Sequence, residues 1–162
     1  MTKSYRPGAA GALLDEYERA INELREVLGT ITAVQLTAIA DAAATNPDCI
    51  SIQTVLAHVV RSGYSYAVYI LNHLGIEATR PERVLRDTAA GYQQDLDHVF
   101  AFTLETFKNV QEQDLEQPDN AKKIQTSWDQ IYDIEQLMEH AIVHILRHRR
   151  QVERFIQIIN RQ

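Results

Sequence analysis

Apolar residues recur along this chain at intervals of three and four. Leu13, Leu14, Tyr17, Ile21, Leu24 and Leu28 form the first such row, which on a helix of 3.6 residues per turn is one buried face. Gly29-Thr30 interrupts it, and the alanine-rich stretch 33–44 predicts a shorter helix ending near Asn46-Pro47. Ser51 is placed to cap a second long helix, whose stripe runs from Ile52 and Val55 through Val59, Gly63 and Ala67 to Leu74, with Gly75 as its stop signal. A polar connection through Arg80-Pro81-Glu82 leads to a third, from about Asp87 to Leu115, with Tyr92, Leu96, Val99, Thr103, Phe107 and Val110 inward and Pro118 beyond its end. A polar loop carrying Lys122, Lys123, Thr126, Ser127 and Trp128 precedes the fourth, from about Asp133 to Asn160, which faces inward through Ile134, Leu137, Met138, Ala141, Ile145, Val152 and Phe155. No segment alternates convincingly with period two. Four long amphipathic helices predict an all-α protein, a four-helix bundle forming one domain over residues 1–162.

Composition narrows the function without naming it. Sixteen Lys and Arg against 22 Asp and Glu leave a formal charge of -6, which disfavours a nucleic-acid partner held by phosphate neutralisation. The single cysteine, Cys49, has no partner for an intramolecular disulfide and rules out a multi-cysteine zinc site. No apolar segment follows Lys3 and Arg6, and no run reaches the roughly 18 apolar residues of a membrane span. The expectation is a soluble cytoplasmic protein with neither a nucleic-acid nor a membrane partner.

The histidines carry the chemistry. His140, His144 and His148 stand four apart in the last helix, one turn from each other on nearly one face, and two imidazoles at that interval can reach one metal ion. Measured from the centre of the apolar stripe at ~100° per residue, His148 lies about 30° away, His144 about 70° and His140 about 110°. The favoured pair is therefore His144 and His148. A further ligand must come from another helix, and His58 is the best placed, although it falls about 125° from the stripe of its own helix. That angle fits a site at the rim of the bundle or in an open cleft. His73 and His98 read as surface residues or satisfied core groups, and the favoured pair taken alone also fits solvated decoration of a helix. Arg147, Arg149, Arg150 and Arg154 read first as a solvated face pairing with Glu135, Glu139 and Glu153, and second as an anion-binding rim. Tyr64, Tyr66 and Tyr69 follow His58 and are either packing residues or a pocket wall.

Other chemistries of helical bundles lack their residues. No Glu has a His three positions later, as a di-iron site requires. There is no Gly-x-Ser-x-Gly, no Walker loop and no His-Glu-x-x-His, because Ile145, Leu146 and Arg147 fill the interval between His144 and His148.

The segment Ser51-Ile52-Gln53-Thr54-Val55-Leu56-Ala57-His58, with His144-x-x-x-His148-Arg149-Arg150-Gln151 in the last helix, resembles the DinB/YfiT-like superfamily. The resemblance covers most of the chain, including the order of the helices. Its most specific part is the last-helix segment, where the family typically shows His-x-x-x-His-Arg-Gly-Gln and this chain has Arg150 in the glycine's place. The resemblance implies a four-helix bundle with one divalent metal ion, zinc or nickel, on His58, His144 and His148. The family often adds an acidic residue one turn after the first histidine, and here that position is Ser62. Some relatives look like metal-dependent S-transferases of low-molecular-weight thiols, and others like isomerases. The implied function is a metal-dependent enzyme that activates a thiol or water at an open tri-histidine site, a transferase or hydrolase with a small-molecule, thiol-type substrate. The alternative is a non-catalytic metal-binding or interaction bundle, toward which Ser62 and Arg150 point. A homodimer through helix faces is compatible with either.

Overall fold

In the computed structural model, which describes residues 4–161, the apolar rows are five helices: α1 (Gly8–Leu28), α2 (Ala33–Thr37), α3 (Ile52–His73), α4 (Ala89–Phe107) and α5 (Ile134–Ile159). Capping fixes the starts of the two that matter most. Ser51 Oγ accepts the Thr54 N–H at 3.2 Å while Thr54 Oγ1 accepts the Ser51 N–H at 3.1 Å. Asp133 and Gln136 repeat this reciprocal arrangement at α5, at 2.9 and 3.2 Å. Each satisfies two amides that the helix itself leaves unpaired. Gly75, at φ +79°, ends α3 in a backbone conformation that costs a side chain dearly.

The described residues are all-α apart from one small hairpin and an isolated bridge between Ile39 and Ser51. α1 and α3 do not face each other as principal neighbours; each packs against both α4 and α5, which closes a ring around one apolar core. Tyr17, Ile21, Leu24, Leu56, Ile70, Tyr92, Leu96 and Leu137 are almost wholly removed from water there, each contributing about 1.5–3 kcal/mol by burial. Gly63 sets how closely α3 and α4 approach, since a Cβ at that position would lie 2.4 Å from Val99 Cγ1. No helix of the described residues is long and apolar enough to cross a membrane.

Three expectations about the connections are corrected. The alanine-rich segment is helical only to Thr37. Ala38 turns to ψ 139°, and the amides of Ala40 and Asp41 both donate to the Ile50 carbonyl, at 3.0 and 3.2 Å. Only Leu36 of this stretch has a large buried side chain, so helix propensity without an apolar stripe yields to these long-range bonds. α4 ends at Phe107 rather than near Leu115, where Asn109 Nδ2 donates to the carbonyls of Glu105 and Thr106. Val110 and Leu115 are nevertheless buried; they reach the core from a loop and a 3-10 turn (Glu112–Asp114). The loop before α5 contains the antiparallel pair β1 (Ile124–Gln125) and β2 (Ile131–Tyr132), in register Ile124↔Tyr132. Two-residue strands are too short for alternation to be visible in the sequence. Asp129, at φ 61°, completes the turn between them.

Candidate metal centre

α3 and α5 pack directly on each other, and three histidines meet between them. His58 Nε2 lies 3.0 Å from His144 Nε2, which lies 3.2 Å from His148 Nε2. One ligand atom from each of the three falls within 4.8 Å of the other two. The four-residue interval on α5 does what the helical period requires: His144 and His148 are each only 8% exposed, with rings edge to face at 4.4 Å. His58 is half-buried on the flank of α3, as its wheel angle predicted, and the site is accordingly open on one side.

The outer nitrogens decide what the inner ones offer. Asp48 Oδ2 lies 3.3 Å from His58 Nδ1, and Gln151 Oε1 lies 2.9 Å from His148 Nδ1. Both oxygens are acceptors, so the proton of each ring belongs on Nδ1 and the lone pair on Nε2. A single Nε2–H on His144 can bridge to only one neighbour at a time. At least one inward lone pair then lacks a donor, and a cation supplies what is missing. Metal–nitrogen bonds of 2.0–2.1 Å in tetrahedral geometry put ligand nitrogens about 3.3 Å apart, close to the two short separations here. The donor set fits a divalent ion that accepts imidazole.

Electrostatics agrees with neutral rings. Burial pushes His144 down to about 2, with its histidine neighbours adding to the effect. Burial also lowers His148, to about 4, against the pull of Gln151. In His58 the same desolvation outweighs Asp48, which acts to raise it. Protons are thus kept off the nitrogens that would hold a metal.

Beside the imidazoles lies an open cavity of about 420 Å³. His58 and His144 line it together with Ser62, Ser65, Tyr66, Tyr69, Trp128 and His140, and Arg61 and Arg80 also line it. Tyr66 and Tyr69 are therefore wall residues, while Tyr64 faces away against Phe102. His140 stands apart from the cluster: Tyr132 Oη is 3.3 Å from its Nδ1, and its ring stacks on Trp128 at 5.6 Å. Burial lowers its pKa, assisted by Arg147. His73 and His98 are exposed. The anion-rim reading of the last-helix arginines is not supported. None of the four lines the cavity, and Arg149 pairs with Glu23 of α1 and with Glu153.

Two neighbours of the cluster carried no role in the sequence reading. Gln151 was visible in the motif, three residues after His148, where a helix brings it alongside. Asp48 was not; it sits in a 3-10 turn (Pro47–Cys49) whose first amide is capped by Asn46. Asn-Pro marks a turn, yet nothing local tells that the turn folds onto His58. Asp48 also binds Arg83 at 2.8 Å.

No family model matches the chain, and no curated protein matches it. A solved structure described as the crystal structure of the conserved protein of locus from Enterococcus faecalis is similar at a TM-score of 0.65 and 11% identity, over 97% of this chain and 100% of that one. At that identity the likeness extends to the fold alone.

Proposed function

We infer that this chain is a divalent-metal protein of the DinB-like four-helix-bundle type, and that it works as a metal-dependent enzyme on a thiol or water. The observation that carries the reading is the convergence of three imidazole Nε2 atoms, the outer nitrogens of His58 and His148 facing Asp48 and Gln151 and that of His144 buried without a partner among the described residues. His58, His144 and His148 would hold zinc or nickel. A divalent ion bound there lowers the pKa of a coordinated thiol or water and supplies a nucleophile near neutral pH. Asp48 and Gln151 hold the His58 and His148 rings in the tautomer that presents the lone pair. Tyr66 and Trp128 give the adjoining cavity an apolar wall, which limits water beside the reacting group. Three protein ligands and an adjacent cavity favour a catalytic over a structural site. The transferase-like reading with a low-molecular-weight thiol rests on the family resemblance.

One observation favours the non-catalytic alternative. Asp48 is the only carboxylate lining the cavity among the described residues, and it is engaged by His58 and Arg83, so with Ser62 one turn beyond His58 no free carboxylate base is at hand.

Elemental analysis of untagged protein kept free of chelators tests the reading. About one divalent ion per chain is expected, lost in His58→Ala, His144→Ala and His148→Ala and retained in His140→Ala. No metal, with thermal stability unchanged on adding zinc or nickel, would refute it.

A further inference from the structure

The cavity beside the imidazoles carries more arginine than carboxylate. The chain is acidic, at -6, yet Arg61 and Arg80 both line this cavity, whose one carboxylate is already engaged. Neighbouring guanidinium groups are paired, Arg83 with Asp48 and Arg86 with Asp95, each at 2.8 Å. Arg61 and Arg80 have no carboxylate partner among the described residues. Arg80 is also held in place. Its Nη1 donates to Ser65 Oγ at 2.6 Å, and that hydroxyl donates to the Arg61 carbonyl at 2.9 Å. This uses one of the five N–H donors of a guanidinium and leaves the rest for an anion.

The wall contributed by the hairpin is flat and apolar. Trp128 meets Tyr66 and Tyr69 edge to face, at 6.2 and 5.8 Å, and stacks on His140. The Ser127 amide donates to Tyr69 Oη at 2.9 Å, tying the hairpin to α3. Unpaired cations, a planar aromatic wall and a volume of about 420 Å³ make a small-molecule site with a defined polarity.

We propose that the cavity binds a small organic acid, its carboxylate on Arg61 and Arg80 and its flat apolar body against Trp128 and Tyr66. This names the substrate class of the site read above as a metal centre, and it rests on that reading for the reaction but not for the binding. The acid sits beside His58 and His144, so the group to be transformed is the part of the molecule that reaches the imidazoles.

Trp128 is the only tryptophan of the chain, and its emission reports occupancy of the cavity. The full chain, both chelator-treated and zinc-loaded, is titrated with benzoate, benzamide and inorganic phosphate. Benzoate is expected to change the emission saturably, and benzamide to bind about tenfold more weakly or worse, since hydrogen bonds from a cation to a carboxylate are the strong ones. Arg61→Gln and Arg80→Gln should each weaken benzoate by about tenfold and leave both benzamide binding and zinc stoichiometry unchanged. Benzoate and benzamide binding equally, or both variants matching wild type, would overturn the anion subsite. Phosphate competing as well as benzoate would overturn the role of the aromatic wall. Benzoate binding by a chain that takes up no zinc would uphold this site and remove the metal centre, and the converse would do the opposite.

Discussion

Asp48→Ala is the sharpest test of how the metal centre is held. The carboxylate lies 3.3 Å from His58 Nδ1 and fixes which nitrogen carries the proton. Loss of such an outer partner typically costs 10- to 100-fold in metal affinity, about 1.4–2.7 kcal/mol. Both side chains are close to 30% exposed, so solvent screens part of the charge and the lower end applies: about tenfold weaker zinc binding. Asp48→Asn keeps an oxygen that can accept from Nδ1–H and should lose only about threefold. Removing Asp48 also frees Arg83, a cation that would itself repel the metal. Arg83→Gln, and the double variant with Asp48→Ala, separate the two effects. The assay is competition with a chromophoric chelator near neutral pH, with melting of the metal-free proteins as the folding control. Coupling is the decisive readout: in a His58→Ala background Asp48→Ala should change residual affinity by less than about twofold. Unchanged zinc affinity in Asp48→Ala, or an equal loss with and without His58, refutes the orienting role.

Gly63→Ala should lower stability by about 1–3 kcal/mol, because the added Cβ meets Val99 Cγ1 at 2.4 Å; a melting temperature within a degree of wild type would mean that α3 and α4 part easily. Ser51→Ala removes the cap of α3 and should cost about 1 kcal/mol in urea denaturation, with metal stoichiometry unchanged. The metal-free chain should also lose stability on acidification. Burial holds His148 at about 4 in the fold, against imidazole's ordinary 6.5. The unfolded chain therefore binds the extra proton as pH falls below 6.5, and stability drops from there toward pH 4, by about 1.4 kcal/mol for this group at pH ~5.5. His148→Gln should flatten that fall in urea midpoints taken across the range, and a fall of unchanged steepness would show that other groups cause it.

What the sequence discloses and what it hides divide along a physical line. The apolar rows of α1, α3, α4 and α5 are legible because each helix satisfies its own backbone and needs only one face buried, so period alone reveals it. The same period ranks His148 and His144 ahead of His140, and the structure buries the first two while leaving the third at the cavity wall. His58 sits awkwardly on a wheel because the wheel measures an angle within α3 and knows nothing of α5 packing along that flank. Asp48, Arg80 and Trp128 are harder still. The conformations of their segments depend on bonds to distant residues: amides of Ala40 and Asp41 on the Ile50 carbonyl, Arg80 on Ser65, the Ser127 amide on Tyr69. No local pattern encodes such partners. The helices thus carry the three imidazoles, whereas the connections supply one outer partner of the cluster and much of the neighbouring cavity. Helix register brings the three imidazole nitrogens together. Substitutions at Arg80 or in the hairpin around Trp128 can change what binds beside the imidazoles while leaving both the core and the cluster in place.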